Sequence, residues 1–396
     1  MQFPKDFLWG TATSAHQTEG HNSNSDWWAW EKRDRTSEPE EKSKYPLQWS
    51  NHACDSYNRF EEDFDLCVKL NNNAVRLGIE WARIEPEQGK FDQKEIEHYK
   101  KVLRAAKDRG LQTFVTLHHF SSPKWISWTK RKTPKHFANF AEKCAEKFGE
   151  LIDVYLTINE PQVYAMQSYL RGIWPPQKRN PWLSLVSQLN FIRAHNKAYK
   201  AIKKVGDHKV GIVKNLVWFR VSKDSKIKPI DWLATKVLQW LSGKFFLGKI
   251  SRHSDLIGVN YYFTNETKNL KHKDPQDKIS DMGWWLHPSG MEKVLLRLKK
   301  YKLPVYITEN GLADAEDKQR EWWIKEILEH CHNAMEQGVD LRGYFHWSLI
   351  DNYEWAEGFW PRFGLVEIDR ENNLERKPRP SFYTYAQICK TGKLEP

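Results

Sequence analysis

Val154-Tyr155-Leu156-Thr157-Ile158-Asn159-Glu160-Pro161 gathers β-branched and aromatic residues into a short apolar run and ends it on a carboxylate and a proline. Such a run reads as a buried strand whose C-terminal mouth carries Glu160. The pattern returns at Val305-Tyr306-Ile307-Thr308-Glu309-Asn310-Gly311, where a glycine stops the strand after Glu309. Further strands are expected at Phe7–Ala12, Ala74–Ile79, Thr113–Leu117, Val210–Asn215, Leu256–Asn260 and Gly343–Trp347. Helical patterns lie between them at Gln93–Arg109, Pro134–Phe148, Trp182–Lys204, Pro288–Lys300 and Gln319–Gln337, and Gly110, Gly206 and Gly338 stand where they can end a helix. Strands that alternate with helices in this way imply an α/β protein, a closed parallel (β/α)8 TIM barrel with loop insertions at its C-terminal face. No Gly/Ser or Pro linker divides the chain, so residues 1–396 read as one domain. The highly charged stretch Glu31–Lys44 reads as a mobile loop after the first strand.

Composition bounds the function. A chain of 396 residues with 29% charged and 40% hydrophobic residues is neither disordered nor membrane-embedded. No apolar run approaches the length of a membrane span, and the N-terminus lacks a signal-peptide pattern. The five cysteines are scattered without a CxxC pair, which favours free thiols in a reducing cytoplasm. The formal charge of +11 raises the question of nucleic acid, but the basic residues are spread through Lys130–Lys135, Lys223–Lys228 and Lys268–Lys278, expected as loops, with no recognition motif, which reads as solvated surface. Neither a nucleic-acid nor a membrane partner is expected. His118-His119 and His330-Cys331-His332 lack zinc-site spacing, and no phosphate-cradling glycine loop is present, so neither metal nor cofactor is expected.

Either glutamate alone would read as a solvated or helix-capping acid. Delivered together to one cavity, 149 residues apart (309 − 160), they are the minimum equipment for glycosidic cleavage: an acid/base and a nucleophile. The 20 tryptophans point the same way, because flat rings beside polar groups suit the C–H faces of sugars. Those at Trp27, Trp28, Trp30, Trp125, Trp128, Trp174, Trp284, Trp285, Trp355 and Trp360 are expected in loops, with core packing the alternative for any single one.

The motifs then add up in order: Phe7-Leu8-Trp9-Gly10-Thr11-Ala12 through Gly20, Arg76-Leu77-Gly78-Ile79-Glu80-Trp81, Thr116-Leu117-His118-His119-Phe120, the two glutamate segments, Gly258-Val259-Asn260-Tyr261-Tyr262, and the block from His346 to Gly364. Nearly end to end, the chain resembles glycoside hydrolase family 1, the β-glucosidase/β-galactosidase family of (β/α)8 barrels. The resemblance implies a retaining enzyme that hydrolyses terminal non-reducing β-D-glucosyl residues, and also β-D-galactosyl or β-D-fucosyl residues, through a covalent glycosyl-enzyme. It gives Glu160 as acid/base and Glu309 as nucleophile, with their carboxyl groups about 5–5.5 Å apart. Arg76 and Tyr262 would support the nucleophile. Asn159 would hold the sugar's 2-hydroxyl; Gln17, His119, Glu354 and Trp355 would bind the other hydroxyls; Trp347 would be the stacking platform.

Two departures from the family's pattern matter. Phe120 follows His119 where the family usually has a tryptophan, so an indole N–H is lost, and His118 reads as a wall residue. Trp355 stands where the phospho-sugar branch carries a serine, and Phe359-Trp360-Pro361-Arg362-Phe363 replaces that branch's Ser-x-Lys-x-Tyr. A 6-phospho-β-glycosidase stays open as an alternative through Arg362, as does a catalytically silent glycan-binding barrel.

Overall fold

The computed structural model describes residues 1–33 and 48–395. Eight strands close into an all-parallel barrel: β1 (Leu8–Ala12), β2 (Ala74–Gly78), β3 (Gln112–Thr116), β4 (Val154–Asn159), β5 (Lys209–Asn215), β6 (Leu256–Asn260), β7 (Val305–Asn310) and β8 (Leu341–Trp347). Neighbours follow chain order, and β8 returns to β1 with Leu8 opposite Gly343 and Ala12 opposite Trp347. Strand residues are buried on both faces because helices cover the outside and side chains fill the inside.

Period-two alternation builds both layers. Phe114, Leu156, Val213, Tyr306 and Phe345 belong to the inner cluster, where the Phe114 ring lies 5.2 Å from Tyr306 and 4.8 Å from Phe345. Val75, Val115, Tyr155, Ile212 and Ile307 join the outer cluster, packed with helices such as Thr133–Phe148 and Pro181–Val205. Phe114 is the inner plug, so Phe114→Ala is expected to cost about 3–5 kcal/mol of unfolding free energy, read as a lowered urea midpoint.

The alternation breaks where the glutamates are. In β7, Tyr306 is inward and Val305 and Ile307 outward, so strict alternation would turn Glu309 toward the helices. The pairing of β7 with β6 shifts between Ile307 and Glu309, which brings Glu309 opposite Asn260 and into the barrel mouth. In β4 a matching shift falls between Leu156 and Asn159. Thr157 still faces outward, bonded to His195 of the surrounding helix at 2.7 Å, while Asn159 turns inward. Irregularities of this kind re-aim side chains at the rim of a barrel. Gly311, two residues after Glu309, has no room for a side chain, because a Cβ there would overlap the Trp347 carbonyl oxygen.

Gly110, Gly206 and Gly338 all close helices as expected, Gly110 and Gly338 with φ of 74° and 84° and Gly206 as an extended cap. Several expectations need correction. The helix expected over Pro288–Lys300 is shorter, Ser289–Leu296, with a 3-10 turn at Lys299–Tyr301. Trp27, Trp28 and Trp30 are buried on a helix, Asp26–Glu31, so these rings are core rather than loop; Trp128 lies in a loop as expected, but is buried there. The stretches Lys223–Lys228 and Lys268–Lys278 are only partly loop: a helix begins at Lys228, and Thr264–Lys268 pairs with Lys271–His272. Helices Ser56–Lys69 and Pro380–Thr391 add to those expected, the second opened by Pro380 and closed by Gly392 with φ of 61°. Most of the charged stretch Glu31–Lys44 lies outside the described residues. Among the described residues no helix is long and apolar enough to cross a membrane.

Candidate active site

Strand ends bring the expected polar residues to one end of the barrel. Arg76, two residues beyond Ala74 on the inward face of β2, is fully buried among oxygen acceptors. Its Nη1 donates to a Glu309 carboxylate oxygen and to the Thr308 carbonyl at 3.1 Å. Its Nη2 donates to Asn159 Oδ1 at 2.8 Å, and its Nε to Thr116 Oγ1 at 3.1 Å. Such multiple pairing is what makes a buried guanidinium tolerable. The other Glu309 oxygen accepts from the Tyr262 hydroxyl at 2.6 Å. Burial, then the Glu309 carboxylate, holds the Tyr262 phenol well above its usual pKa, so it acts as a donor.

Glu160 ends β4 with left-handed φ of 41°, and Pro161 then starts a short helix. Its carboxylate accepts from Asn260 Nδ2 at 2.6 Å and Asn215 Nδ2 at 3.2 Å, both amides ending neighbouring strands. Burial, followed by repulsion from Glu309, pushes its pKa up to about 7, against the opposing effect of the two amides and Arg76. Glu309 thus accepts from a cation and a phenol, while Glu160 accepts from neutral amides alone. Environments this different separate the behaviour of two carboxyl groups.

The remaining expected residues line the same region. Asn159 donates from Nδ2 to His119 Nε2 at 3.1 Å, which fixes the neutral imidazole with its proton on Nδ1. That Nδ1 has no partner among the described residues. Burial, then Arg76, keeps the His119 pKa well below its usual value. The His119 ring lies near-parallel to Trp347 and Trp355, with centroids at 5.7 and 6.1 Å. Gln17, oriented by Ser14 Oγ at 2.7 Å, reaches Asn352 Oδ1 at 3.0 Å and Glu354 Oε2 at 3.3 Å. Burial, then Glu309, raises the Glu354 pKa to about 8. Phe120 is enclosed by Trp174 and Trp355, at 4.9 and 5.2 Å. His118 faces away, bonded to Ser122 Oγ at 3.1 Å and packed on Trp128.

Sequence reasoning missed Asn215 and Asn260. Their signal was the one used for the glutamates, a polar residue terminating a buried apolar strand. Thr308, which donates to Asn260 Oδ1 at 2.8 Å and so aims the amide at Glu160, gave none.

Comparison with known proteins gives the family. The family model described as Glycosyl hydrolase family 1 matches residues 1–253 and 235–394. Beta-glucosidase A of Thermotoga maritima is 30% identical over 448 residues, covering 100% of this chain and 99% of that protein. A beta-galactosidase of Pyrococcus woesei is also 30% identical, covering 95% and 94%. Among solved structures, the beta-glycosidase from Pyrococcus horikoshii superposes with a TM-score of 0.91 at 36% identity, over 100% of this chain and 96% of that one. With the barrel, the strand-end carboxylates and matches spanning almost all of its length, the chain belongs to glycosyl hydrolase family 1.

Proposed function

We propose that the protein is a retaining β-glycosidase that releases terminal non-reducing β-D-glucosyl residues, and β-D-galactosyl or β-D-fucosyl residues, by double displacement. Glu309 attacks the anomeric carbon as the leaving oxygen takes the proton of Glu160. Glu160, now ionised, removes a proton from water, which displaces Glu309. The observation that carries this reading is the unequal pair: Glu309 sits between Arg76 and the Tyr262 hydroxyl, and Glu160 has its pKa raised to about 7 beside neutral amides. Asn159 is held by Arg76 and His119 next to both, which supports a 2-hydroxyl contact. The neutral His119 with its free Nδ1, Gln17 and Glu354 supply donors and acceptors for further hydroxyls, and Trp347 and Trp355 the stacking faces.

An unphosphorylated sugar is favoured over a 6-phospho-sugar because Arg362 is engaged by Glu367 at 3.1 Å and lies 3.8 Å from Asp351. Its charge already has carboxylate partners. Para-nitrophenyl β-glucoside, β-galactoside and β-fucoside, assayed beside the 6-phosphoglucoside, test this: turnover of the plain sugars is expected, and turnover of the phosphorylated one alone would overturn it. No turnover of any would favour a glycan-binding barrel. The five buried free thiols support a cytoplasmic setting.

The pH profile carries a further expectation. The first step needs protonated Glu160, so kcat/KM should fall as pH rises through about 7. The Asn260 bond favours the ionised carboxylate, so Asn260→Ala should move that limb to higher pH. A shift downward would contradict the assignment.

A further inference from the structure

The helix Lys228–Gln239 is turned inside out. Its buried side is polar: the Asp231 carboxylate accepts from Ser225 Oγ at 2.6 Å and from the Asn269 and Leu270 amides at 2.8 and 2.7 Å. Thr235 is buried one turn later, and Gln239 Nε2 donates to the Phe219 carbonyl at 2.6 Å. Its apolar side faces solvent: Ile230, Trp232, Leu233 and Val237 are 52%, 56%, 59% and 49% exposed, and Trp240 and Leu241 extend the face beyond the helix end. Ile230, Leu233, Val237 and Leu241 fall on one stripe at helical spacing, the stripe an ordinary surface helix would bury. Single exposed apolar residues are normal; a contiguous stripe marks an interaction site.

The surroundings select what covers it. Lys223, Lys226, Lys228, Lys236, Lys244 and Lys249 are exposed along this stretch, against one exposed acid, Asp224. At the C-terminal end of the stripe lies a cavity of about 250 Å³ lined by Trp240 and by Lys236, Lys244, Arg297 and Lys300, with no acid in its wall. Burial, then Lys244 and Arg297, lowers the Lys300 pKa. The buried Tyr301 hydroxyl on the same wall has no partner among the described residues. Tryptophans and aliphatic residues rimmed by lysines, ending at a cationic cavity, complement acyl chains beneath anionic phosphate headgroups. A second copy meeting this face across a twofold axis would bring the same lysines against each other.

We propose that this helix docks the enzyme peripherally on an anionic lipid surface, with the stripe entering the headgroup boundary and the cavity taking a lipid phosphate. The expected absence of a membrane partner rests on the lack of a spanning run, which an interfacial helix does not need. Docking brings the active-site rim beside the lipid: Gln162, two residues after Glu160, donates from Nε2 to the Leu241 carbonyl at 2.8 Å. The docking is independent of the chemistry assigned to Glu160 and Glu309.

The test is co-sedimentation of the full chain with vesicles of pure phosphatidylcholine and of equal parts phosphatidylcholine and phosphatidylglycerol. Binding to the anionic vesicles is expected, weakening as salt rises. The variant Leu233→Gln/Val237→Gln should lose it while hydrolysing a soluble aryl glucoside at the wild-type rate. Lys244→Ala and Lys300→Ala should each weaken partitioning about fivefold. No binding to anionic vesicles, or equal binding to both kinds, would overturn the proposal. So would light scattering that shows an oligomer which Leu233→Gln/Val237→Gln dissociates, in a protein that ignores vesicles.

Discussion

Glu309→Ala is expected to lower turnover by roughly 10⁴- to 10⁶-fold, the scale on which deletion of a covalent nucleophile acts. The loss should be in kcat, because the hydroxyl-binding side chains are left in place. Added azide should restore part of the activity by attacking from the space vacated beside Arg76, and the product should be the α-glycosyl azide, inverted relative to the substrate. The substitution also leaves Arg76 buried without its carboxylate. Removing one partner of such a pair costs about 3–5 kcal/mol, so a lowered melting temperature should accompany the loss. Glu309→Gln keeps the shape and a hydrogen-bonding oxygen, and separates the two effects: stability should recover and turnover should not. Normal turnover in either variant would refute the assignment.

Glu160→Ala should act differently. General acid catalysis is worth about 10²- to 10⁴-fold, and its value depends on how badly the leaving group needs a proton. The first step should slow by that range with alkyl glucosides and disaccharides. With dinitrophenyl glucoside, whose leaving group departs as the anion, it should change little, and release of the glycosyl-enzyme should become limiting. The fall in kcat/KM above about pH 7 should vanish with the carboxyl group that causes it. Azide should accelerate the second step and yield the β-azide. Equal losses on good and poor leaving groups would count against Glu160 as the acid.

Much of this site was legible because a barrel strand is short, apolar and stops abruptly. Val154–Asn159 and Val305–Asn310 declare themselves by composition, and Glu160 and Glu309 stand at their ends. The inward turn of Glu309 was not legible from periodicity, since a period of two points it outward with Val305 and Ile307. A register shift against β6 corrects it, and that is a property of two strands together. Arg76 could be read as an interior cation in need of a carboxylate, but its sharing between Glu309 and Asn159 required the assembled barrel. The tryptophans misled where helical packing competed with the loop reading: Trp27 and Trp30 lie on Asp26–Glu31 and pack ring to ring at 5.0 Å. The inverted helix Lys228–Gln239 was hidden for the opposite reason. Its pattern is that of any amphipathic helix, and only the fold shows which side faces water.

Double displacement requires that Glu309 become covalently glycosylated. A 2-deoxy-2-fluoro-β-glucoside bearing a dinitrophenyl leaving group slows both steps but the second more, and so should trap that adduct. Peptide mass spectrometry of the inactivated enzyme should find one fluoroglucosyl group on the segment containing Glu309. Label on a different residue, or no label together with an α-configured first product from an ordinary β-glucoside, would rule out Glu309 as the nucleophile.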